Sequence, residues 1–164
     1  MAVSAYEVIS TQTLGSAAAS VTFSSIPQTY TDLVLVSQIQ NTGSLQRIDL
    51  RFNSDSSSNY SVTRIYGNGS TASSDRFTGA SGIDIAYVAT SGYCIVNHSI
   101  MNYSNTTTFK SIVGRWSSEG NSGYTAALVG LWRNTAAITS MVLTPFGVNF
   151  ATGSTFALYG IRAA

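Results

Sequence analysis

The sequence predicts an all-β protein, a jelly-roll-like antiparallel β-sandwich forming a single domain over residues 1–164. Three observations predict it. Short runs alternate apolar and polar side chains, the period of a half-buried strand. Clusters of Gly, Asn, Ser and Asp separate these runs at short, regular intervals. No stretch carries a long 3.6-residue apolar period with caps. The nearest, Leu14–Ala19, is broken by Gly15 among polar neighbours and reads as a turn.

About ten short strands are expected, drawn from eleven segments. Tyr6–Thr13, Ser20–Ile26 and Asp32–Gln40 come first, then Arg47–Asn53 and Asn59–Tyr66. Ile83–Ala89, Tyr93–Tyr103, Thr108–Ser117, Tyr124–Arg133, Ile138–Thr144 and Thr155–Arg162 follow. Within the fourth, Ile48, Leu50 and Phe52 share one face and Arg47, Asp49 and Arg51 the other. The runs Leu33-Val34-Leu35-Val36 and Ala126-Ala127-Leu128-Val129 are nearly unbroken, so both are expected to be central strands covered on both faces. Gly67-Asn68-Gly69-Ser70 reads as a hairpin turn after a strand. The section from Gly67 to Gly82 is Ser- and Gly-rich and reads as an extended surface loop, either an ordinary mobile one or one that docks Asp75, Arg76 and Phe77 on a neighbour.

Composition narrows the function classes. Apolar residues make up 44% of the chain, enough for one core without disulfides or metals, while charged residues make up only 9%. The net charge of +1 is spread without a basic stripe, so nucleic-acid binding is not expected. Cys94 is the only cysteine, which excludes an intrachain disulfide and a cysteine-based zinc site. No apolar run is long enough for a membrane span, and the first residues lack the basic and apolar regions of a secretory signal. Without such a signal, the five Asn-x-Ser/Thr sequons at Asn59, Asn68, Asn97, Asn102 and Asn105 do not read as glycosylation sites. A surface of hydroxyls and amides on a chain made in a cytoplasm suits a particle protein that reaches the outside by lysis of its host. Soluble monomers blunt sheet edges with Lys and Pro, yet this chain has one lysine, Lys110, and two prolines, Pro27 and Pro145. Edges closed within the fold or covered by subunits are the alternatives, and a homotrimer is expected.

Candidate chemistry is sparse. Cys94 and the single histidine, His98, share one strand face, a nucleophile-and-base composition without a Gly-x-Ser-x-Gly elbow; a buried thiol and a hydrogen-bonded histidine are expected instead. The carboxylates Glu7, Asp32, Asp49, Asp55, Asp75, Asp84 and Glu119 lie in no hydrolase motif. One carboxylate among hydroxyls at Asp55-Ser56-Ser57-Ser58-Asn59 makes a poor calcium loop. No catalytic residue, metal or cofactor is expected, and the chain is not expected to be an enzyme. Aromatics remain: Trp116, Trp132 and Tyr124 are candidates for stacking on sugar rings.

Several turn-bounded phrases carry a resemblance. These are Thr13-Leu14-Gly15-Ser16 followed by Ser20-Val21-Thr22-Phe23-Ser24-Ser25-Ile26-Pro27, then Tyr30-Thr31-Asp32-Leu33-Val34-Leu35. Leu50-Arg51-Phe52-Asn53, Asn59-Tyr60-Ser61, Tyr66-Gly67-Asn68-Gly69 and the closing Phe156-Ala157-Leu158-Tyr159-Gly160-Ile161 continue it. Together they resemble a family of small virion proteins of tailed phages, notably phages of cyanobacteria and other aquatic bacteria. The resemblance covers both ends and the first half of the chain and transfers no catalytic residues. It implies a virion β-sandwich, found both as a stand-alone structural protein and as a terminal domain of fibres.

On that basis the expected function is capsid decoration, or cement: binding the major capsid protein on the outer shell and stabilising it by many non-covalent contacts. Its place would be the capsid surface, after synthesis in the host cytoplasm. Tyr6, Arg76 and Phe77 are the candidate interface residues. The alternative is a tail-fibre or receptor-binding domain that recognises cell-surface glycan.

Overall fold

Alternation organises the whole chain. In the computed structural model, which describes residues 5–89, 91–119 and 123–162, each of the eleven expected segments forms a strand. They are β1 (Tyr6–Thr13), β2 (Val21–Phe23), β3 (Asp32–Ile39), β4 (Gln46–Phe52), β5 (Tyr60–Gly67), β7 (Ile83–Val88), β8 (Cys94–Met101), β9 (Lys110–Ser118), β10 (Thr125–Trp132), β11 (Met141–Pro145) and β12 (Thr155–Ile161). Helices are absent among the described residues.

The twelfth strand, β6 (Ala72–Ala80), corrects the expectation of a long loop between Gly67 and Gly82. It pairs antiparallel with β5 through a turn of residues 68–71. The Asn68 side-chain oxygen accepts from the backbone N–H groups of Ser70 and Thr71, and Gly69 takes the left-handed conformation that an L side chain disfavours. Asn105 receives Thr107 and Thr108 in the same way. Two of the five sequon asparagines are therefore turn formers.

Two antiparallel sheets pack face to face. One has eight strands in the order β1-β12-β3-β8-β9-β10-β5-β6; the other has four, β2-β11-β4-β7. From β2 to β5 the chain changes sheet at every step, and it does so again from β6 to β8 and from β10 to β12. Sequential strands therefore face each other across the core, which is jelly-roll connectivity. The β8–β9–β10 meander widens the larger sheet.

The core is one cluster between the sheets, and β4 shows how it is built. Ile48, Leu50 and Phe52 are buried while Arg47 and Arg51 lie outward. Leu33 and Leu35 of β3, Leu143 of β11 and Leu158 of β12 are fully enclosed with them. The expectation that β3 and β10 are covered on both faces needs correction for β10. Its Ala126 and Leu128 are buried, but Ala127 and Val129 are exposed, Val129 by 54%. On β3 the outward Val34 is buried and Val36 half-buried.

Each of the four sheet edges carries its own protection. β2 is three residues long. β1 is bulged between Val8 and Ser10, and its Glu7 is tied to Arg162 at 2.7 Å. β7 pairs with β4 through a bulge at Ile48/Asp49 and its Asp84 is held at 2.6 Å by Arg64 of the other sheet, while β6 turns Asp75 to the same arginine. Short length, bulges and ion-paired charges thus replace the lysines and prolines that the edges lack. The homotrimer expectation loses its edge-based argument.

Candidate binding face

The outward side of the eight-stranded sheet is built by period-2 alternation on eight strands in register. One cross-strand row runs Ser74–Ile65–Ala127–Arg115–Asn97–Val36–Ala157–Thr11. The row beside it runs Arg76–Thr63–Val129–Val113–Ser99–Val34–Tyr159–Val8. Exposed aliphatic side chains populate both rows: Ile65 is 63% exposed, Val8 60% and Val113 42%. Ile95, one pair further along β8, joins them. A shallow groove of about 1030 Å³ crosses this face, with Ile65, Ile95, Ala127, Ser117, Asn97 and Arg115 among its lining.

The face spans about 34 Å across eight strands at ~4.8 Å spacing and about 24 Å along a seven-residue strand. That is roughly 800 Å², the size of one side of a standard protein–protein interface. The outward side of the four-stranded sheet contrasts with it. There Arg47 and Asp49 form an ion pair at 3.0 Å and Arg51 donates to the Ser81 carbonyl, with Thr22 and Thr144 beside them; the apolar exceptions are half-buried Val142 and exposed Phe146, over which the Arg47 guanidinium lies at 4.4 Å.

The expected interface residues divide. Tyr6 (56% exposed) and Arg76 both point to the outward side of the large sheet, on its opposite margins, β1 and β6. Phe77 points the other way. It is aligned with inward-facing Val62 and covers the Arg64 guanidinium at 5.3 Å, with 45% of its own surface still exposed.

Beneath Phe77 lies the strongest electrostatic cluster, which joins the sheets along their β6/β7 side. Arg64 Nη1 donates to Asp84 Oδ2 at 2.6 Å and Nη2 to Asp75 Oδ2 at 2.8 Å. Its Nε lies 2.7 Å from Asp75 Oδ1 as an ion pair but outside hydrogen-bond alignment. Burial opposes the Arg64 charge, yet Asp75, Tyr87 and Asp84 together hold its pKa above the ordinary arginine range. Burial pushes the Asp84 carboxyl up to about 6 against the pull of Arg64, and Asp49, its register partner on β4, adds to the rise. Asp49 and Asp84 are the carboxylates that pairing brings together, each with an arginine of its own.

The sugar-stacking candidates are scattered and largely covered. Trp132 is 1% exposed in the core against Phe52 and Tyr60, and its Nε1 donates to Asp55. Trp116 is 3% exposed, packed between Tyr87 and Tyr124. Trp116 and half-buried Tyr124 do meet, with Tyr66, Tyr87, Arg64 and Leu45, around a cavity of about 190 Å³. The Trp116 indole nitrogen has no partner there and is closed off from solvent. No indole face is open for a sugar ring.

The remaining reactive groups are structural. Cys94 and His98 are both buried on the inner face of β8. Four residues along a strand separate them by about 13 Å, too far for proton transfer. Burial pushes the Cys94 thiol up to about 12 and lowers the His98 pKa. His98 Nε2 meets the Ile85 carbonyl of the opposite sheet at 2.9 Å, tying the two layers. Asp55 is a turn acceptor: bonds from Asn59, Trp132 and the Ser57 backbone hold it at about 2. Lys110 is buried, donating to the Thr108 and Thr135 carbonyls. Groups of three or more metal-ligating side chains are absent among the described residues.

Fold and face together define a jelly-roll sandwich with exposed aliphatic side chains spread over one broad outward face and mainly ion-paired charges and hydroxyls on the other. No protein-family model matches the chain, and no curated protein is similar to it. The face is not legible in the sequence, because on β10 Ala127 and Val129 complete a nearly unbroken apolar run that reads as covered on both sides. The alternation of charge-poor outward positions was the available signal.

Proposed function

We propose that the chain is a structural protein of a tailed-phage particle that decorates the outer shell, holding the major capsid protein through the outward face of its eight-stranded sheet. The observation that carries this reading is the difference between the two outward faces. The small sheet's outward side is dominated by ion-paired or hydrogen-bonded arginines and by hydroxyls, with Phe146 stacked on Arg47, whereas the large sheet presents Ile65, Ile95, Val113 and Val129 over an area suited to one partner. The resemblance of the turn-bounded phrases supplies the kind of particle.

The mechanism is binding alone. Each copy covers apolar surface on the shell, and repetition by the shell's symmetry turns modest contacts into a network that resists internal pressure. A trimer set on a symmetry axis would concentrate three such faces.

Localisation on purified virions tests the reading. Density repeated over the capsid surface by cryo-EM, or antibody-bound gold distributed over the head, is the expected result. Label confined to the tail or its fibres overturns it in favour of a receptor-binding domain.

A further inference from the structure

Arg115 stands in the middle of the apolar face, between Ala127 and Asn97 in register. Among the described residues neither its guanidinium nor the Asn97 carboxamide takes part in a side-chain hydrogen bond or ion pair. The other cations are engaged or peripheral: Arg47, Arg64 and Arg162 are ion-paired, Arg51, Lys110 and Arg133 donate to backbone carbonyls, and Arg76 lies at the sheet margin.

A partner that covers Ile65, Val113 and Val129 also removes Arg115 from water. An arginine desolvated without a counter-ion is strongly unfavourable, so a tight partner must bring an anion to this point. A second copy related by a two-fold axis through the centre of the face would bring Arg115 against Arg115, which disfavours that arrangement. A guanidinium fork beside a carboxamide N–H offers parallel donors that match a carboxylate. The aliphatic surround favours a carboxylate that is itself set among apolar side chains, as on a protein surface.

We propose that the occupant is a protein surface presenting an Asp or Glu carboxylate to Arg115 and Asn97, ringed by aliphatic side chains. This rests on the shell-binding reading, in which that surface belongs to the capsid subunit. Arg115 then selects the partner and sets its register, while the aliphatics supply most of the contact area.

The test is co-sedimentation of the full chain with capsids purified from particles assembled without it. Arg115→Glu is expected to weaken binding at least 100-fold and Arg115→Gln about 10-fold. Arg51→Glu, the same charge change on the opposite sheet, should stay within twofold. Thermal melts confirm folding, and Arg115→Gln decides the matter if Arg115→Glu does not fold. Binding of both Arg115 variants within twofold of the wild type overturns the carboxylate site and leaves shell binding intact. Failure of the wild type to bind overturns the shell reading itself, and the capsid carboxylate with it. Sedimentation velocity of the chain alone gives the last arm, since a dimer abolished by Arg115→Glu would make a second copy the occupant and overturn the proposal.

Discussion

Gly114 of β9 lies opposite His98 of β8, and a Cβ at position 114 would overlap the imidazole Nδ1 and stand 2.6 Å from the Asn97 carbonyl oxygen. The missing side chain is the space in which the ring sits, and the ring in turn reaches Ile85 on the opposite sheet. Gly114→Ala is expected to destabilise the fold by about 2–3 kcal/mol, the scale of overpacking a closed core. In a His98→Ala background the cost should fall without vanishing, because the Asn97 carbonyl remains. Urea melts of the four proteins of this double-mutant cycle measure the coupling, and strict additivity would refute the packing account.

Asp84 gives stability an unusual pH dependence. Its pKa rises from 3.8 to about 6 on folding, so between those values the native state holds more protons than the unfolded chain. Stability from this group therefore falls as pH rises from about 4 to about 6. Asp84→Asn should flatten the curve in that window. Chemical denaturation at half-unit pH steps on both proteins checks the sign.

Asp55 works in the opposite direction. Its folded pKa of about 2 lies below the ordinary 3.8, so the stability it contributes is present above pH 4 and is lost as pH falls toward 2. Asp55→Asn should remove that acid lability and cost about 1–2 kcal/mol at neutral pH, through a weakened bond to the Trp132 indole. Trp132 fluorescence during acid titration reports the change directly.

Cys94 should be inert in the native protein. It is fully buried with its thiol pushed to about 12, so thiolate is scarce and shielded. A disulfide-exchange reagent at pH 8 should label it only at the rate of global unfolding. Rapid labelling in native buffer would contradict the placement of β8.

Val129→Asp probes the face without disturbing the core. The side chain is 54% exposed, so the substitution should change stability by about 1 kcal/mol or less. On the proposed function, co-sedimentation with capsids should fall at least tenfold, whereas Thr22→Asp on the small sheet should leave it unchanged. Equal effects of the two would remove the distinction between the faces.

Much of this architecture is legible in residue order. The bounds of β1 coincide with the expected Tyr6–Thr13, and inward Ile48, Leu50 and Phe52 on β4 follow directly from period 2. β6 was not legible, because Ala72-Ser73-Ser74-Asp75-Arg76 has no apolar alternation to read. Of its inward positions, Ser73, Asp75 and Phe77, the central one is a carboxylate held by Arg64 on β5, which only the paired strand reveals. The candidate face was misread for the converse reason. Val129 is as aliphatic as Leu128, and one-dimensional order does not say that one lies under a second sheet and the other does not.

Composition and alternation alone determined that the chain is an all-β sandwich with a charge-poor surface, because side-chain period and turn chemistry are local properties of the backbone. Tertiary structure decided which side of each strand faces the core, how the edges are closed, and that Arg115 stands without a counter-ion at the centre of an apolar sheet. Those outcomes depend on register among strands far apart in sequence, and register is set only when both sheets bury their inner faces together.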